Sequence, residues 1–414
     1  MGTMRDFGVG LLYLKNMNNR LRLRVKDLLD KNHKIGIKYD YTCPSLPMYP
    51  HQWIWDSCFH SIVLSRLDSQ RSFKEIKTLL SRQKDDGFIS CVSIWKRNIP
   101  FEEAFYINKI TQPPVIPYAT ELIYLNTNNK DFVKEIYTQL KKFMDWFPVN
   151  RDKNGNGLIE IIHPWEDGDD GNPSFDKQMG YGSKPSTTKY FYSLFRILTG
   201  YSMMQWNEEK IYKSNIFRAE TVLFNSIYAR SLLSMSRLAR VIDNYGDILI
   251  YKKRYEDLKK SLINNCWNKE DEIFYDLDKE GKQVKTKVIS SLMALILPDL
   301  PKNIIKPLIE KHLLNEKEFW TPIPIASVSQ DEKSFNPGKT FQLWRGPMWV
   351  NTNWFLVRAL NNYGYTKDAK EIIEKTKKTI EKYGFWEFYN PLSGEGYGQP
   401  NFGWSTLILD MLPQ

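Results

Sequence analysis

Two kinds of helical pattern alternate along this chain, and that alternation limits its fold more than any other feature. From Gln52 to Leu67, the residues Trp53, Ile54, Trp55, Phe59, Ile62, Val63, Leu64 and Leu67 fall nearly all the way round a helix. Met348 to Leu360 reads the same way. Such helices must be buried on several sides. Thr366 to Lys382, in contrast, carries one apolar stripe (Ala369, Ile372, Ile373, Thr376, Ile380) and charges elsewhere, so it covers something and faces water. Two-sided helices inside and one-sided helices outside describe a double ring.

The same periodicity predicts helices near 11–31, 52–67, 71–83, 114–127, 131–147, 188–204, 215–241, 246–265, 285–296, 302–313, 346–362, 366–383 and 402–412. Long strand-like alternations are scarce. About a dozen helices in a chain of 414 residues suit an all-α fold, an (α/α)6 barrel whose loops build a cleft at one end. A solenoid would need a repeat of ~30–50 residues, and none is visible. No Gly/Ser/Pro-rich linker divides the chain, so residues 1–414 read as one domain.

Composition narrows the function. A 42% hydrophobic, 26% charged chain with mean hydropathy −0.48 is neither disordered nor membrane-spanning. The net charge of +10 is spread out, and its densest runs (Lys252–Arg254, Lys375–Lys378) fall on solvated helix faces. Nucleic acid is therefore not the expected partner. The four cysteines form no CxxC pair, and the first ten residues lack an apolar signal core. Reduced thiols in the cytoplasm fit best. Aromatic residues, at 14%, are unusually frequent, and their placement carries the functional reading.

Four aromatic-rich segments lie between or at the ends of the helices. They are Tyr49 to Asp56 (YPHQWIWD), Pro164 to Pro173 (PWEDGDDGNP), Leu343 to Trp349 (LWRGPMW), and Gly384 to Pro391 (GFWEFYNP), the last running on to Gln399 and Trp404. Three of them add carboxylates. Sugars have apolar C–H faces and hydroxyl rims, so a sugar site needs flat rings beside hydrogen-bonding carboxylates. Cleaving a glycosidic bond further needs one protonated carboxyl and one ionised carboxylate. Burial among Trp rings raises carboxyl pKa values and supplies the protonated partner. Any one segment could be core or a solvated turn; four together point to a carbohydrate site.

These residues resemble a family. WDSCF at 55–59, WExGxD at 165–170, WRGPxW at 344–349 and the stretch from Gly384 to Trp404 are similar to the catalytic domain of family 63 glycoside hydrolases, and more distantly to family 37 trehalases. The length matches the short family 63 members that hydrolyse mannosylglycerate and glucosylglycerate. The resemblance implies Asp170 as general acid and Glu387 as general base of an inverting α-glycosidase acting on a small α-glucoside or α-mannoside. It further implies sugar-contacting roles for Tyr49, Trp53, Trp55, Asp56, Gln112, Trp165, Gly168, Trp344, Trp349 and Gln399. Two acidic neighbours, Asp167 and Asp169, depart from the family pattern, as does Leu343, which stands where a Tyr often precedes WRGP. An oligosaccharide glucosidase, a trehalase-like enzyme and a non-catalytic sugar-binding protein are the alternatives.

Other signals are weaker. Asp152, Asn154 and Asn156 match the first half of an EF-hand loop, but His163 occupies the position of the closing Glu, so the stretch reads as a turn rather than a calcium site. No HExxH, phosphate-binding loop or Ser/Cys nucleophile with a base is present, and no metal or organic cofactor is expected. Arg345 could hold a loop through a carboxylate or bind an anionic substrate group, the first being preferred.

Overall fold

In a computed structural model of the chain, residues 19–95, 109–338 and 343–412 are described. The N-terminal part of the helix expected over 11–31 lies outside them; residues 19–31 are helical.

The two helix classes separate as their sequences require. Every residue of Ile54–Leu64 is buried, as are most of Val222–Val241 and Val350–Asn362. Thr366–Tyr383 buries only its stripe, Ala369, Ile372, Ile373, Thr376, Lys377, Thr379 and Ile380. The buried elements contact one another in chain order. Ile54–Leu64 packs on Ile116–Thr127, which packs on Val222–Val241, then come Ile289–Ile296, Val350–Asn362 and Gly403–Leu407, and the last returns to Ile54–Leu64. Ser69–Leu80, Lys130–Arg151, Tyr245–Cys266 and Thr366–Tyr383 each lie against at least one of these buried elements. One hydrophobic cluster runs from Leu21 to Leu412, and a smaller one holds Cys91, Val92 and Ile110.

Local chemistry explains where the helices depart from the periodicity. Gln52 and Trp53 are drawn into a two-stranded pairing with Ser93 and Val92, so the helix begins at Ile54. The helix expected from 215 begins at Val222: Asn215 is left-handed, Ala219 and Glu220 bridge Ile161 and Leu277, and the Thr221 side chain caps the first turn. The segment expected as a helix over 285–296 is 3-10 over Ile289–Ile296, and it stops there because Pro298 holds Leu297 in extended backbone. Near 302–313, Pro307 removes a donor and the helix widens into π winding over Leu308–Leu313. The last element is a 3-10 turn, Gly403–Leu407, followed by the short helix Ile408–Met411.

The described strands form four antiparallel two-stranded pairs. Two of them carry site residues. Gln52–Trp53 with Val92–Ser93 presents Trp53, and Trp386–Tyr389 with Gly396–Pro400 presents Glu387 and Gln399. A bulge between Trp386 and Phe388 shifts the register at Glu387.

Candidate active site

All twelve site residues expected from the sequence line one cavity of 720 Å³. That volume suits a small-molecule ligand. The four aromatic segments, up to about 340 residues apart in sequence, meet there.

The walls are aromatic. Trp344 and Trp349 stack with ring centroids 3.9 Å apart and planes within 1° of parallel. Trp404 meets Trp55 edge-on at 5.7 Å and also packs on Trp349. Gly168 sits at φ +82° against the Trp55 ring, where an added Cβ would come within 2.6 Å of a ring carbon. The glycine of WExGxD therefore lets the acidic loop lie flat on a tryptophan. The loops are tied by the main chain: the Trp344 amide donates to the Asp170 carbonyl, and Met348 and Tyr389 exchange hydrogen bonds.

Glu387 is held from several directions. Its Oε2 accepts from the Gln399 amide at 3.0 Å, and Tyr49 donates to its carboxylate. Its carbonyl accepts from Trp404 Nε1 at 2.9 Å. A Cβ at Gly398 would strike Oε2 at 2.4 Å, so glycine is required beside the carboxylate. Burial raises Glu387 to about 7, against the lowering effect of these donors.

Asp170 is raised further, to about 8, first by burial and then by the charges of Glu387 and Asp167. Its pKa therefore stands above that of Glu387, the order an acid and a base need in one site. Asp56, nearly fully buried at the start of its helix, is also raised by burial and by Glu387. Its Oδ1 and the ring N–H groups of Trp53 and Trp349 are buried without a hydrogen-bond partner. An acceptor and two donors left open in one cavity match the rim of a polyhydroxylated ring. Gln112 helps position this floor, its Oε1 accepting from the Trp55 amide at 3.4 Å.

The acidic neighbours of Asp170 do different work. Asp167 accepts from the Thr221 hydroxyl, and Asp169 accepts from Asn172 Nδ2 at 2.7 Å. Both carboxyls are buried and raised, chiefly by desolvation, and next by the charge of Asp276 for Asp167 and of Asp167 for Asp169. Neither lines the cavity. Glu166 accepts from the Thr111 and Ile162 amides and from Arg151. It is a latch for the loop.

Arg345 makes a two-pronged pair with Asp176 and donates to the Ser183 carbonyl at 2.7 Å. Its loop-holding role follows from these contacts. His163 caps the turn that carries Trp165 by accepting its amide at 3.1 Å. Asn154 and Asn156 donate their side-chain amides to Glu220 at 2.6 and 2.9 Å, which closes the Asp152–Gly157 turn. Among the described residues no group of three or more His, Cys, Asp or Glu side chains is arranged for a metal ion. No described helix is long and apolar enough to cross a membrane.

Sequence reasoning did not single out Met48, Tyr190, Phe191, Phe388 or Gly398 as site residues, yet they also line the cavity. Tyr190 and Phe191 come from a helix, Thr187–Met203, that carries no site motif. The glycine preceding Gln399 was the one available signal.

Residues 49–405 match the family model described as the mannosylglycerate hydrolase MGH1-like glycoside hydrolase domain. The chain belongs to this glycoside hydrolase family. Among relatives of the MGH1-like hydrolase, a mannosylglycerate hydrolase of Thermus thermophilus is 24% identical, the alignment covering 89% of this chain and 95% of that protein. A glucosylglycerate hydrolase of Mycolicibacterium hassiacum is 22% identical over 88% and 92% of the two chains. The fold matches the crystal structure of a GH63 mannosylglycerate hydrolase from Thermus thermophilus in complex with Tris and D-glycerate, with TM-score 0.84, 24% identity and coverage of 94% and 99%. The more distant trehalase likeness is structural as well: the neutral trehalase Nth1 of Saccharomyces cerevisiae matches with TM-score 0.65 at 15% identity, over 92% of this chain and 76% of that one.

Proposed function

We propose that this MGH1-like hydrolase is an inverting α-glycosidase that cleaves a small α-mannoside or α-glucoside, with Asp170 as general acid and Glu387 as general base. The observation that carries the reading is the meeting of these two carboxyls, remote in sequence, across one aromatic-walled cavity. The named activities of the relatives, on mannosylglycerate and glucosylglycerate, support the small size of the substrate.

The reaction is a single displacement. Trp53, Trp55, Trp165, Trp344 and Trp349 enclose the glycosyl ring, and Asp56 and Gln112 bond its hydroxyls. Ionised Glu387 takes a proton from a water molecule on the ring face opposite the leaving group. The water oxygen bonds to the anomeric carbon as the carbon–oxygen bond to the aglycone breaks. Asp170 gives its proton to the departing oxygen. One proton is taken up by Glu387 and one released from Asp170, so charge balances, and solvent exchange restores both groups. Inversion calls for a carboxyl separation of ~6.5–9.5 Å, enough to admit that water. Gly398 and the Gln399 amide keep Glu387 aimed at it.

The scaffold of this reading is a single-domain (α/α)6 barrel; the chain-order contacts among the buried elements and the similarity to the mannosylglycerate hydrolase fold support it. Four buried cysteines that form no disulfide are consistent with a cytoplasmic enzyme. The deciding experiment incubates the protein with α-mannosides and α-glucosides, the glycerate conjugates included, and follows the product anomer by NMR. Initial release of the β-anomer is expected. Initial release of the α-anomer would show retention, and hydrolysis of none would leave a binding protein.

A further inference from the structure

Ser69–Leu80 lies against Ile54–Leu64, the helix whose first turn carries Trp55 and Asp56. Its buried face is built of Phe73, Ile76, Leu79 and Leu80, together with one acid. That acid, Glu75, is 1% exposed and does not line the cavity. It has no part in the displacement itself, yet its contacts converge on one short segment. Its Oε1 accepts from the Ser57 hydroxyl at 2.7 Å, and its main-chain carbonyl accepts from Gln52 Nε2 at 3.2 Å. Gln52 and Ser57 flank Trp53-Ile54-Trp55-Asp56, the segment that supplies two rings and a carboxyl to the cavity. We propose that Glu75 is a positioning residue for the sugar-binding floor, a clamp on both ends of this segment that fixes the aim of Asp56. This proposal rests on the glycosidase reading of the site and extends it to a residue that substrate does not touch.

The second oxygen anchors the clamp. Glu75 Oε2 accepts from the Thr42 amide at 2.7 Å, so the carboxyl bridges the strand Tyr39–Thr42 and the start of the helix. Gln52 extends the same frame: its backbone pairs with Ser93, and its Oε1 accepts from Trp95 Nε1 at 2.9 Å. Between the two ends, the Trp55 amide donates to Gln112. The segment is thus pinned at its start, middle and end by groups that are themselves buried. It needs such a hold, because Trp53 stands at the N-cap of the helix and offers no side-chain cap. The direction of an uncapped first turn is set by partners from outside the helix. Asp56 Oδ1 is left open for a hydroxyl, so its place depends on the backbone that carries it. A carboxyl at position 75 is also expensive. Burial pushes Glu75 up to about 8, against the lowering effect of Ser57, Thr42 and the charge of Arg71. An apolar residue would fill the same space without that cost. What it would lack is two acceptors held at a fixed separation.

The test measures kcat/KM per folded molecule on the best of four substrates: mannosylglycerate, glucosylglycerate, α-mannosyl fluoride and α-glucosyl fluoride. Glu75→Leu removes both side-chain bonds and should lower kcat/KM by about tenfold or more. Ser57→Ala removes one bond and leaves the buried acid in place, so it reads the clamp even where Glu75→Leu does not fold; a loss of about fivefold is expected. Glu75→Gln offers an oxygen to the Thr42 amide and an N–H to the Ser57 oxygen, and should stay within about twofold of the wild type. In the Asp56→Asn background either loss should shrink to about twofold or less, because the group being aimed is gone. A purely structural Glu75 would change the melting temperature and leave kcat/KM per folded molecule at the wild-type value in both Glu75→Leu and Ser57→Ala; that result overturns the proposal. A Glu75→Gln variant as damaged as Glu75→Leu also overturns it, as does a loss undiminished beside Asp56→Asn. Each of these results leaves the glycosidase reading standing. Hydrolysis of none of the four substrates by the wild type sinks that reading, and the proposal with it.

Discussion

Glu166 and Asp170 lie four residues apart on the same loop, and both are removed from bulk water. Glu166 has two backbone amides and the Arg151 guanidinium around its oxygens. Asp170 faces the cavity, with burial and two like charges acting on it. One carboxylate is neutralised by its surroundings and holds the loop in place. The other is left without compensation and keeps its proton near neutral pH. Reactivity here is a matter of which carboxyl the fold declines to satisfy. Glu387 is intermediate: two donors restrain it, and burial still raises it to about 7.

The strongest way to break this contrast is to remove the reactive carboxyls. Asp170→Asn and Glu387→Gln should each lower kcat by about 10²–10⁴-fold, measured on the best substrate, with the fold retained by circular dichroism. Near-normal turnover in either variant would remove its assigned role. Glu166→Gln should do the reverse. It leaves the buried Arg151 without its full countercharge, so urea unfolding should show a loss of about 3 kcal/mol. Activity per folded molecule should change much less than in the Asp170 variant.

A smaller effect sharpens the comparison through pH. kcat/KM should rise as Glu387 ionises near 7 and fall as Asp170 ionises near 8, giving a narrow bell. The same shift has a sign in stability. Asp170 titrates at about 8 in the folded chain against 3.8 when unperturbed, so its contribution is fully present below about 4 and is lost as pH rises through 8. Asp170→Asn cannot ionise, and its melting temperature should gain on the wild type between pH 6 and 9. A constant difference across that range would mean that Asp170 is not held protonated. The smallest effect concerns the Asp152–Gly157 turn. Glu220 already binds the Asn154 and Asn156 amides there, so chelator should leave both melting temperature and activity unchanged.

Much of the site was legible because each motif carries its own physical reason. Trp next to Asp at a helix start, Gly168 beneath a tryptophan ring and Gly398 beside a carboxylate are local requirements written into local sequence. Three things were not legible. Asp167 and Asp169 resemble Asp170 in sequence, and only their hydrogen bonds to Thr221 and Asn172 and their place outside the cavity separate them from it. Phe191 sits on a helix with no motif, and its place in the cavity wall depends on how that helix packs. The π segment follows Pro307 and the 3-10 segment ends before Pro298, yet hydrophobic spacing alone reads both as ordinary helix.

By itself the sequence determined the helical class, the division into buried and half-buried helices, and the kinds of side chain available to a sugar, because periodicity and residue chemistry are local properties. Tertiary structure decided which carboxyls meet, which of them are compensated, and which side chains complete the cavity wall. Those outcomes depend on burial and on partners hundreds of residues away, and a carboxyl's pKa is set by the surroundings that the fold builds around it.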